Sequence, residues 1–335
     1  MIVEQVREAV RAGGLLLGAR PLARPPARPP DGDGMPARPA QPVIAMVSGG
    51  RDSTCLVDVA VALCAPGSVA ALHVNYELRG AESDADERHC AALCESLGVE
   101  LEIVHARRPK GEAGNLQAWA RDVRYKAAMR MAVRENALVA AGHTATDQVE
   151  TILYRLAASP GRRALLGMSA REGRLVRPLL GMTRAQTAAY CRERGLQWRE
   201  DRSNISDTYA RGRVRHGLMA ALGAVHPAAE ANVLRTAQLL REETELLDGL
   251  VEGVLEGGRS VPIARLEELP VALGRLVVIS LAEQAAGTYV PQAGDRVGEI
   301  LELGRRGGRL DLHVGGNVSA RIEGGMLSMV KLPPR

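Results

Sequence analysis

Residues 48–53 read Ser-Gly-Gly-Arg-Asp-Ser, behind an apolar run at 43–47 and ahead of an apolar helical pattern. Gly49 and Gly50 lack Cβ atoms, so backbone N–H groups can close around a phosphate. A helix N-terminus favours an anion there. Ser48 and Ser53 add hydroxyl donors. Asp52 is the odd member, because a carboxylate beside phosphates is repelled unless a divalent cation bridges them. No Gly-Lys-Ser/Thr follows, so this is not a Walker A loop. A plain strand–turn–helix with two turn glycines is the alternative. The full hexapeptide behind a buried strand favours nucleotide binding.

A second segment, Gly142-His143-Thr144-Ala145-Thr146-Asp147-Gln148-Val149-Glu150-Thr151, leaves an apolar run and enters a helix. Asp147 and Glu150 are three apart and share one helical face. Paired carboxylates there suit Mg²⁺, a substrate ammonium or general-base work. Acid placement favoured by the helix dipole is the competing explanation. Arg121 and Arg124 lie on neighbouring faces of a third helical segment. Arg211, Arg213 and Arg215 alternate after Glu200-Asp201-Arg202-Ser203-Asn204. Arginine suits phosphate recognition, although a solvated basic face explains both clusters equally.

These residues need elements that bring them together. Short apolar strands are expected at 43–47, 69–76, 99–105 and 137–142, with helices at 53–64, 82–97 and 115–135 between them. Asn115 is placed to cap a helix start and Gly98 a helix end. The alternation implies an α/β fold with a doubly wound parallel sheet. Ligands in such sheets bind beyond the carboxyl ends of the strands, where residues 48–53 and the segment after Gly142 both fall. A strand at 175–180, a helix near 184–194 and a long helix at 227–256 follow. A small α+β domain then has helices near 264–286 and 291–303 and strands at 309–314, 317–322 and 326–331. At the other end, residues 2–12 show a weak amphipathic pattern, and the Arg/Pro-rich stretch 20–42 reads as an extended linker, with an RNA-binding arm as the less favoured alternative. The expected organisation is an N-terminal helix and linker over 1–42, a nucleotide-binding catalytic domain over 43–222, a helical connector over 223–258 and a small domain over 259–335.

Composition bounds the answer. The chain has 335 residues and 46% hydrophobic residues, enough for one large or two moderate domains. Net charge is +4, compatible with a nucleic-acid partner but too modest to establish one. Lys110, Lys126 and Lys331 are the only lysines among 43 basic residues. That bias fits phosphate contacts and fits GC-rich coding equally well. Cys55, Cys64, Cys90, Cys94 and Cys191 form no zinc or disulfide pattern, which suggests a reducing cytoplasm. No apolar run reaches about 18 residues, so no membrane span is expected.

The loop at 48–53 resembles the pyrophosphate-binding loop of the ATP pyrophosphatases. The wider set resembles the bacterial tRNA(Ile)-lysidine synthetase family. It comprises Ser48–Ser53, His73-Val74-Asn75, Leu78-Arg79, Ala120-Arg121-x-x-Arg124-Tyr125 and His143-x-x-x-Asp147-Gln148-x-Glu150-Thr151. Gly167-Met168, Arg177-Pro178-Leu179-Leu180, Glu200-Asp201-x-Ser203-Asn204 and the arginines from Arg211 complete it. The resemblance is strong over about 43–220 and weaker beyond. Tyr76 stands where the family has His, Thr144 where it has a second His, and Thr146 where it has an acid. Gly212 replaces an Asn, and Ala158-Ser159-Pro160-Gly161 replaces an Arg-Gly-Ser-Gly turn.

The resemblance implies an adenine nucleotide alpha hydrolase-like fold and a ligase that turns ATP into AMP and pyrophosphate. The wobble cytidine of an isoleucine tRNA with a CAU anticodon would be adenylated at its C2 oxygen, and free L-lysine would then displace AMP. Ser48, Gly49, Gly50, Arg51, Asp52 and Ser53 would hold ATP, with His73 and His143 bordering the nucleotide. Asp52 and Asp147 would hold Mg²⁺. Asp147 and Glu150 would receive lysine or assist its deprotonation, and Arg121 and Arg211 would stabilise phosphate charge or position the cytidine. The small C-terminal domain would carry the tRNA. A homodimer is left open. The runners-up are a sulfur-inserting tRNA enzyme, disfavoured by the absence of paired cysteines, and a non-catalytic nucleotide- or RNA-binding protein, disfavoured by the intact Asp52, Asp147 and Glu150.

Overall fold

The computed structural model describes residues 1–16, 41–109, 114–158, 161–200 and 210–333, the side chain of Arg211 excepted. Most of the 20–42 linker, Lys110, Ser159-Pro160 and 201–209 therefore lie outside the described residues. The chain divides into two units, residues 1–160 with 164–234, and residues 161–163 with 235–335. The division falls inside the long helix of the expected connector.

In chain order the first unit begins with α1 (Ile2–Ala12), β1 (Val43–Met46), α2 (Arg51–Leu63), β2 (Val69–Asn75), α3 (Ala81–Ser96) and β3 (Glu100–His105). Next come α4 (Leu116–Arg134), β4 (Leu138–Ala140), α5 (Ala145–Ala158) and α6 (Arg162–Leu165), whose first two residues are counted with the second unit. They are followed by β5 (Arg171–Glu172), β6 (Leu175–Val176) and α7 (Arg184–Glu193). A helical segment then runs through α8 (Ala210–Arg213), a π turn (Val214–Leu218) and α9 (Met219–Val225), before α10 (Ala229–Leu255).

The sheet order is β3-β2-β1-β4-β6-β5. All neighbours are parallel except β5 and β6. Val43 stands opposite both Val69 and Leu138. The period of two along β1 divides its side chains between two cores. Val43, Ala45 and Val47 pack with α1, α2, α3 and α7. Ile44 and Met46 pack with Ala128, Met131 and Ala132 of α4. The chain reverses direction of winding between β2 and β4 around β1, so the carboxyl end of β1 is the switch point where such sheets bind ligands.

Three expectations change. The strand at 175–180 stops at Val176, because Pro178 has no N–H for a ladder and Leu180 N–H instead turns back to Arg177 O at 3.2 Å. The helix at 264–286 is broken: Leu269, ahead of Pro270, is extended with ψ 147°, as the proline ring demands of its predecessor. The helix at 291–303 starts as a 3₁₀ turn over Pro291–Arg296 and continues to Arg306. Asn115 does cap α4, accepting from Gln117 N–H at 2.8 Å.

α1 buries Val3, Val6 and Val10, worth roughly 1.5–3 kcal/mol each for full burial. Its polar edge joins an ion cluster. Asp58 of α2, 2% exposed, accepts from the Tyr190 hydroxyl and from Arg194 Nη2 and Nε at 2.9 and 3.0 Å. Arg7 donates to Tyr190 Oη at 3.3 Å and lies 3.6 Å from Asp58. Glu193 meets the N-terminal amine at 2.5 Å. α7 is thereby fixed to α1 and α2.

The second unit contains the rest of α10, then β7 (Ser260–Pro262), α11 (Ile263–Glu268) and α12 (Val271–Ala286). It continues with α13 (Val297–Arg306), β8 (Leu310–Gly315), β9 (Val318–Glu323) and β10 (Met326–Lys331). Its antiparallel sheet has the order β7-β10-β9-β8. The core joins Leu255, Leu266, Val277, Leu281 and Ile300 to the sheet residues Val318, Ile322 and Leu327. Among the described residues no helix is long and apolar enough to cross a membrane.

Candidate functional site

The loop after β1 is a self-bonded ring. Ser48 N–H donates to Ser53 Oγ at 3.1 Å, Ser53 Oγ donates to Gly50 O at 2.8 Å, and the two serine hydroxyls lie 3.2 Å apart. Gly49 has φ +77°, a conformation that glycine adopts freely. Its carbonyl accepts from Arg199 N–H at 2.9 Å. α2 starts at Gly50 with no side-chain cap, so its first turn presents backbone donors and a positive dipole end. Gly142 completes the closeness: a Cβ there would stand 3.1 Å from Asp52 O and 3.2 Å from Ser53 N. The strand-end loop after β4 thus abuts the first turn of α2.

Asp52 accepts from Arg51 Nε at 2.9 Å and from the Thr187 hydroxyl at 2.5 Å. Asp147 sits at the start of α5. Thr144 N–H and Oγ donate to Asp147 Oδ2 at 2.9 and 2.7 Å, and Asp147 N–H returns to Thr144 Oγ at 3.4 Å. This is a capping-box exchange, and it gives Thr144 a physical role at a position where the resembled family has His. Burial pushes the Asp147 carboxyl up, but the Arg184 charge and the Thr144 hydrogen bonds outweigh it and hold it below the usual range. Glu150, one turn on, is 5% exposed. It accepts from Arg184 Nη1 at 2.7 Å and from Arg215 Nε and Nη2 at 2.9 and 3.1 Å.

Arg184 joins the two motifs. Its Nη2 donates to Asp147 Oδ1 at 2.6 Å, its Nη1 to Glu150, and its Nε lies 3.9 Å from Asp52 Oδ2. Sequence reasoning passed over Arg184 and Thr187, and named Arg215 only as part of a basic cluster. A signal for Arg184 exists. Thr183 caps α7 in a capping box, so Arg184 is a cation at a helix N-terminus, against the dipole. Arg215 comes from the π turn, a distortion frequent at functional sites.

The other predicted residues lie at varied distance from this centre. His73 is buried, with Nδ1 3.0 Å from Val47 O, so it braces the strand end that precedes the loop. Burial pushes the His143 imidazole down to about 4; the Asp147 carboxylate opposes this, and the charges of Arg177, Arg121 and Arg124 add to it. Its Nδ1 is buried with no hydrogen-bond partner among the described residues. Arg121 lies on α4 with its guanidinium 4.7 Å from the Tyr125 ring centroid. Arg211 belongs to α8, and its side chain is outside the described residues. Tyr76 donates to Ala120 O at 2.9 Å and packs edge-on to Trp119. Thr146 donates to Glu230 Oε1 at 2.7 Å.

Residues 33–222 match the PP-loop domain family. The chain belongs to this family. The matched span contains the ring at residues 48–53, the segment that resembles a PP-loop. Among curated proteins, it is 41% identical over 212 residues to the tRNA(Ile)-lysidine synthase of Pseudomonas fluorescens, covering 61% of this chain and 47% of that protein. It is 34% identical over 285 residues to the tRNA(Ile)-lysidine synthase of Geobacter sulfurreducens, covering 79% and 60%. The chain therefore spans between about half and three-fifths of the length of these relatives. Among solved structures it is similar to the U34-tRNA thiolase NcsA from Methanococcus maripaludis, with TM-score 0.55, 17% identity, and coverage of 72% of this chain and 79% of that one. That likeness is one of fold.

Among the described residues no group of three or more His, Cys, Asp or Glu side chains is placed to hold a metal ion. The donors of the PP-loop and of the α2 N-terminus fit a polyphosphate. Asp52 and Asp147 fit a cation only if it takes most of its oxygens from phosphate and water, the usual habit of Mg²⁺.

Proposed function

We propose that the chain is an ATP-dependent ligase that joins L-lysine to C2 of the wobble cytidine of an isoleucine tRNA with a CAU anticodon, giving lysidine. The C2 oxygen attacks the α-phosphorus of ATP and pyrophosphate leaves. The lysine ε-amine then adds at C2, and AMP leaves with the oxygen. The observation that carries this reading is the junction of the PP-loop with the Asp147/Glu150 pair through Arg184 and Thr187. A phosphate-binding device and a cation-binding device share one strand-end edge. The 32–41% identity to tRNA(Ile)-lysidine synthases supports it.

Ser48–Ser53 would bind the ATP phosphates through backbone N–H and hydroxyl donors. Asp52 and Asp147 would hold Mg²⁺, which when bound neutralises phosphate charge. Arg121 and Arg211 would steady the phosphates or the cytidine, and His143 would offer its unpartnered Nδ1 to the nucleotide. A lysine amine has a reference pKa of about 10.4 and must lose a proton before it attacks. Asp147, held ionised, suits gripping the cationic form; a strongly acidic carboxyl is a weak base. The second unit would carry the tRNA, a homodimer is compatible with this reading, and such a reaction belongs in the cytoplasm.

A sulfur-inserting reaction needs an accessible thiol or a ligand set for a cluster. Cys55, Cys90, Cys94 and Cys191 are buried and Cys64 half-buried. The deciding experiment is pyrophosphate release from ATP with tRNA present and each amino acid supplied in turn. Release that depends on the isoleucine tRNA, with lysine alone incorporated, is expected. Incorporation of sulfur, or indifference to lysine, would end the proposal.

A further inference from the structure

Arg184 occupies an odd position. It is the first residue of α7, where the helix dipole disfavours a cation. It is partly exposed, at 22%, on a side chain with several rotatable bonds. Asp147 Oδ1 and Glu150 Oε1, the carboxylate oxygens that two adjacent turns of α5 direct to one point, both end on its guanidinium, at 2.6 and 2.7 Å. Arg215 grips both Glu150 oxygens, Nε on Oε1 at 2.9 Å and Nη2 on Oε2 at 3.1 Å, and its Nη2 lies 3.8 Å from Asp147 Oδ1. A substrate ammonium directed at this pair would meet a positive charge already seated on the oxygens it needs.

The far side of the same guanidinium points to the PP-loop. Its Nε lies 3.9 Å from Asp52 Oδ2, in the first turn of α2. A polyphosphate seated on that turn offers several charged oxygens in the geometry a guanidinium grips two at a time. Moving from the carboxylates to the phosphates requires a side-chain swing and no backbone change.

We propose that Arg184 is an exchangeable counter-ion: bound ATP draws it from Asp147 and Glu150 onto the phosphates, and the two carboxylates, left with Arg215 as their one cation, take the cationic amine substrate. This rests on the reading of residues 48–53 as the ATP site and of the acid pair as the amine site. ATP and amine then help each other by the same factor, as linkage requires. The order of events is built in, since the amine is held firmly only when a nucleotide is in place to activate its target.

The test uses the full chain and a non-hydrolysable ATP analogue with Mg²⁺, measured by calorimetry. In Glu150→Gln the carboxylate no longer competes for Arg184, and analogue affinity should rise by about 3–10-fold, a modest share of the coupling measured between close charge pairs. In Arg184→Gln it should fall by about tenfold or more. Arg184→Lys, which keeps the charge without the fork, should fall between, and guards against a folding defect in the glutamine variant. Unchanged or weaker analogue binding by a folded Glu150→Gln protein would overturn the exchange and assign the acid to the metal. L-lysine is then titrated with and without the analogue. The analogue should tighten lysine binding about tenfold in the parent and leave it nearly unaffected in Arg184→Gln. If the analogue affinities shift as stated while lysine shows no response, the exchange stands and lysine is the wrong amine. If the analogue fails to bind the parent chain, the ATP reading and the exchange fall together.

Discussion

The hydroxyl of Thr187 on α7 donates to Oδ1 of Asp52 on α2 at 2.5 Å, across 135 positions of sequence. The contact ties a PP-loop residue to the helix whose first residue, Arg184, grips Asp147 and Glu150. The other end of α7 is pinned by Tyr190 and by nearby Arg194 to Asp58 of the same α2. α7 is thus anchored at both ends to the helix that follows the PP-loop, and the geometry of the site depends on it.

Asp52→Asn should keep the fold and reduce adenylation by at least ~100-fold, the scale of losing a key electrostatic contact. Pyrophosphate release in single turnover is the measurement. Thr187→Val removes one orienting hydrogen bond and should cost less, about tenfold. Equal losses in both variants would mean that Asp52 acts mainly through its position.

Glu150→Gln should harm lysine use more than ATP binding. The expected result is a lysine KM raised by about tenfold or more, as for removal of one partner of a buried charge pair, with ATP affinity raised rather than lost. Unchanged lysine kinetics with collapsed ATP binding would hand the carboxylate to the metal.

Gly142→Ala places a methyl 3.1–3.2 Å from the backbone of Asp52 and Ser53. Backbone at a helix start yields less readily than a side chain, so α2 should shift at its first turn. Overpacking of this kind costs ~1–3 kcal/mol. The ATP dissociation constant should rise more than the stability loss alone explains, as calorimetry beside denaturant unfolding would show.

Burial pushes the Asp58 carboxyl up, but the hydrogen bonds and charge of Arg194, with Tyr190 and Arg7, hold it below the usual range. A depressed carboxyl stabilises the fold above the unfolded-state value, near 3.9. That stabilisation is lost as pH falls through the lower folded value. Stability should therefore drop below about pH 4, with proton uptake on unfolding. Asp58→Asn should flatten that limb and cost roughly 3 kcal/mol near neutral pH by breaking a buried pair. Urea unfolding across pH would reveal an unchanged limb if Asp58 contributed nothing.

If the second unit carries tRNA, the exposed Arg305 and Arg306 at the end of α13, now paired with Glu267 at 2.7 Å and Glu302 at 2.9 Å, can exchange those surface partners for phosphates. Replacing both by Glu should weaken tRNA binding and make the salt dependence shallower by about two phosphate contacts, each worth a slope of roughly 0.7–0.9. ATP affinity should stay the same. Filter binding across salt concentrations would expose an unaltered slope.

Much of the architecture and the outline of the site are local properties, and the sequence alone determined them. Alternating apolar runs and turn residues placed β1 to β4 and their helices, because a strand buried on both faces is written as a continuous apolar stretch. The PP-loop is legible because its glycines, hydroxyls and carboxylate are neighbours in the chain. Asp147 and Glu150 are legible because helical pitch puts them on one face. Proline effects were equally present at Pro178 and Pro270, and they end β6 and divide α11 from α12 where the broader pattern suggested continuity. Only the tertiary structure decided what the carboxylates face. Arg184, Arg215 and Thr187 arrive from elements 34, 65 and 135 positions away from their partners. No periodicity encodes such meetings, because they depend on the parallel order β2-β1-β4-β6 that carries the start of α7 back beside α2 and α5. Side-chain chemistry along the chain is a one-dimensional property. The pairing of a guanidinium with three carboxylates from two helices is a property of how the sheet is wound.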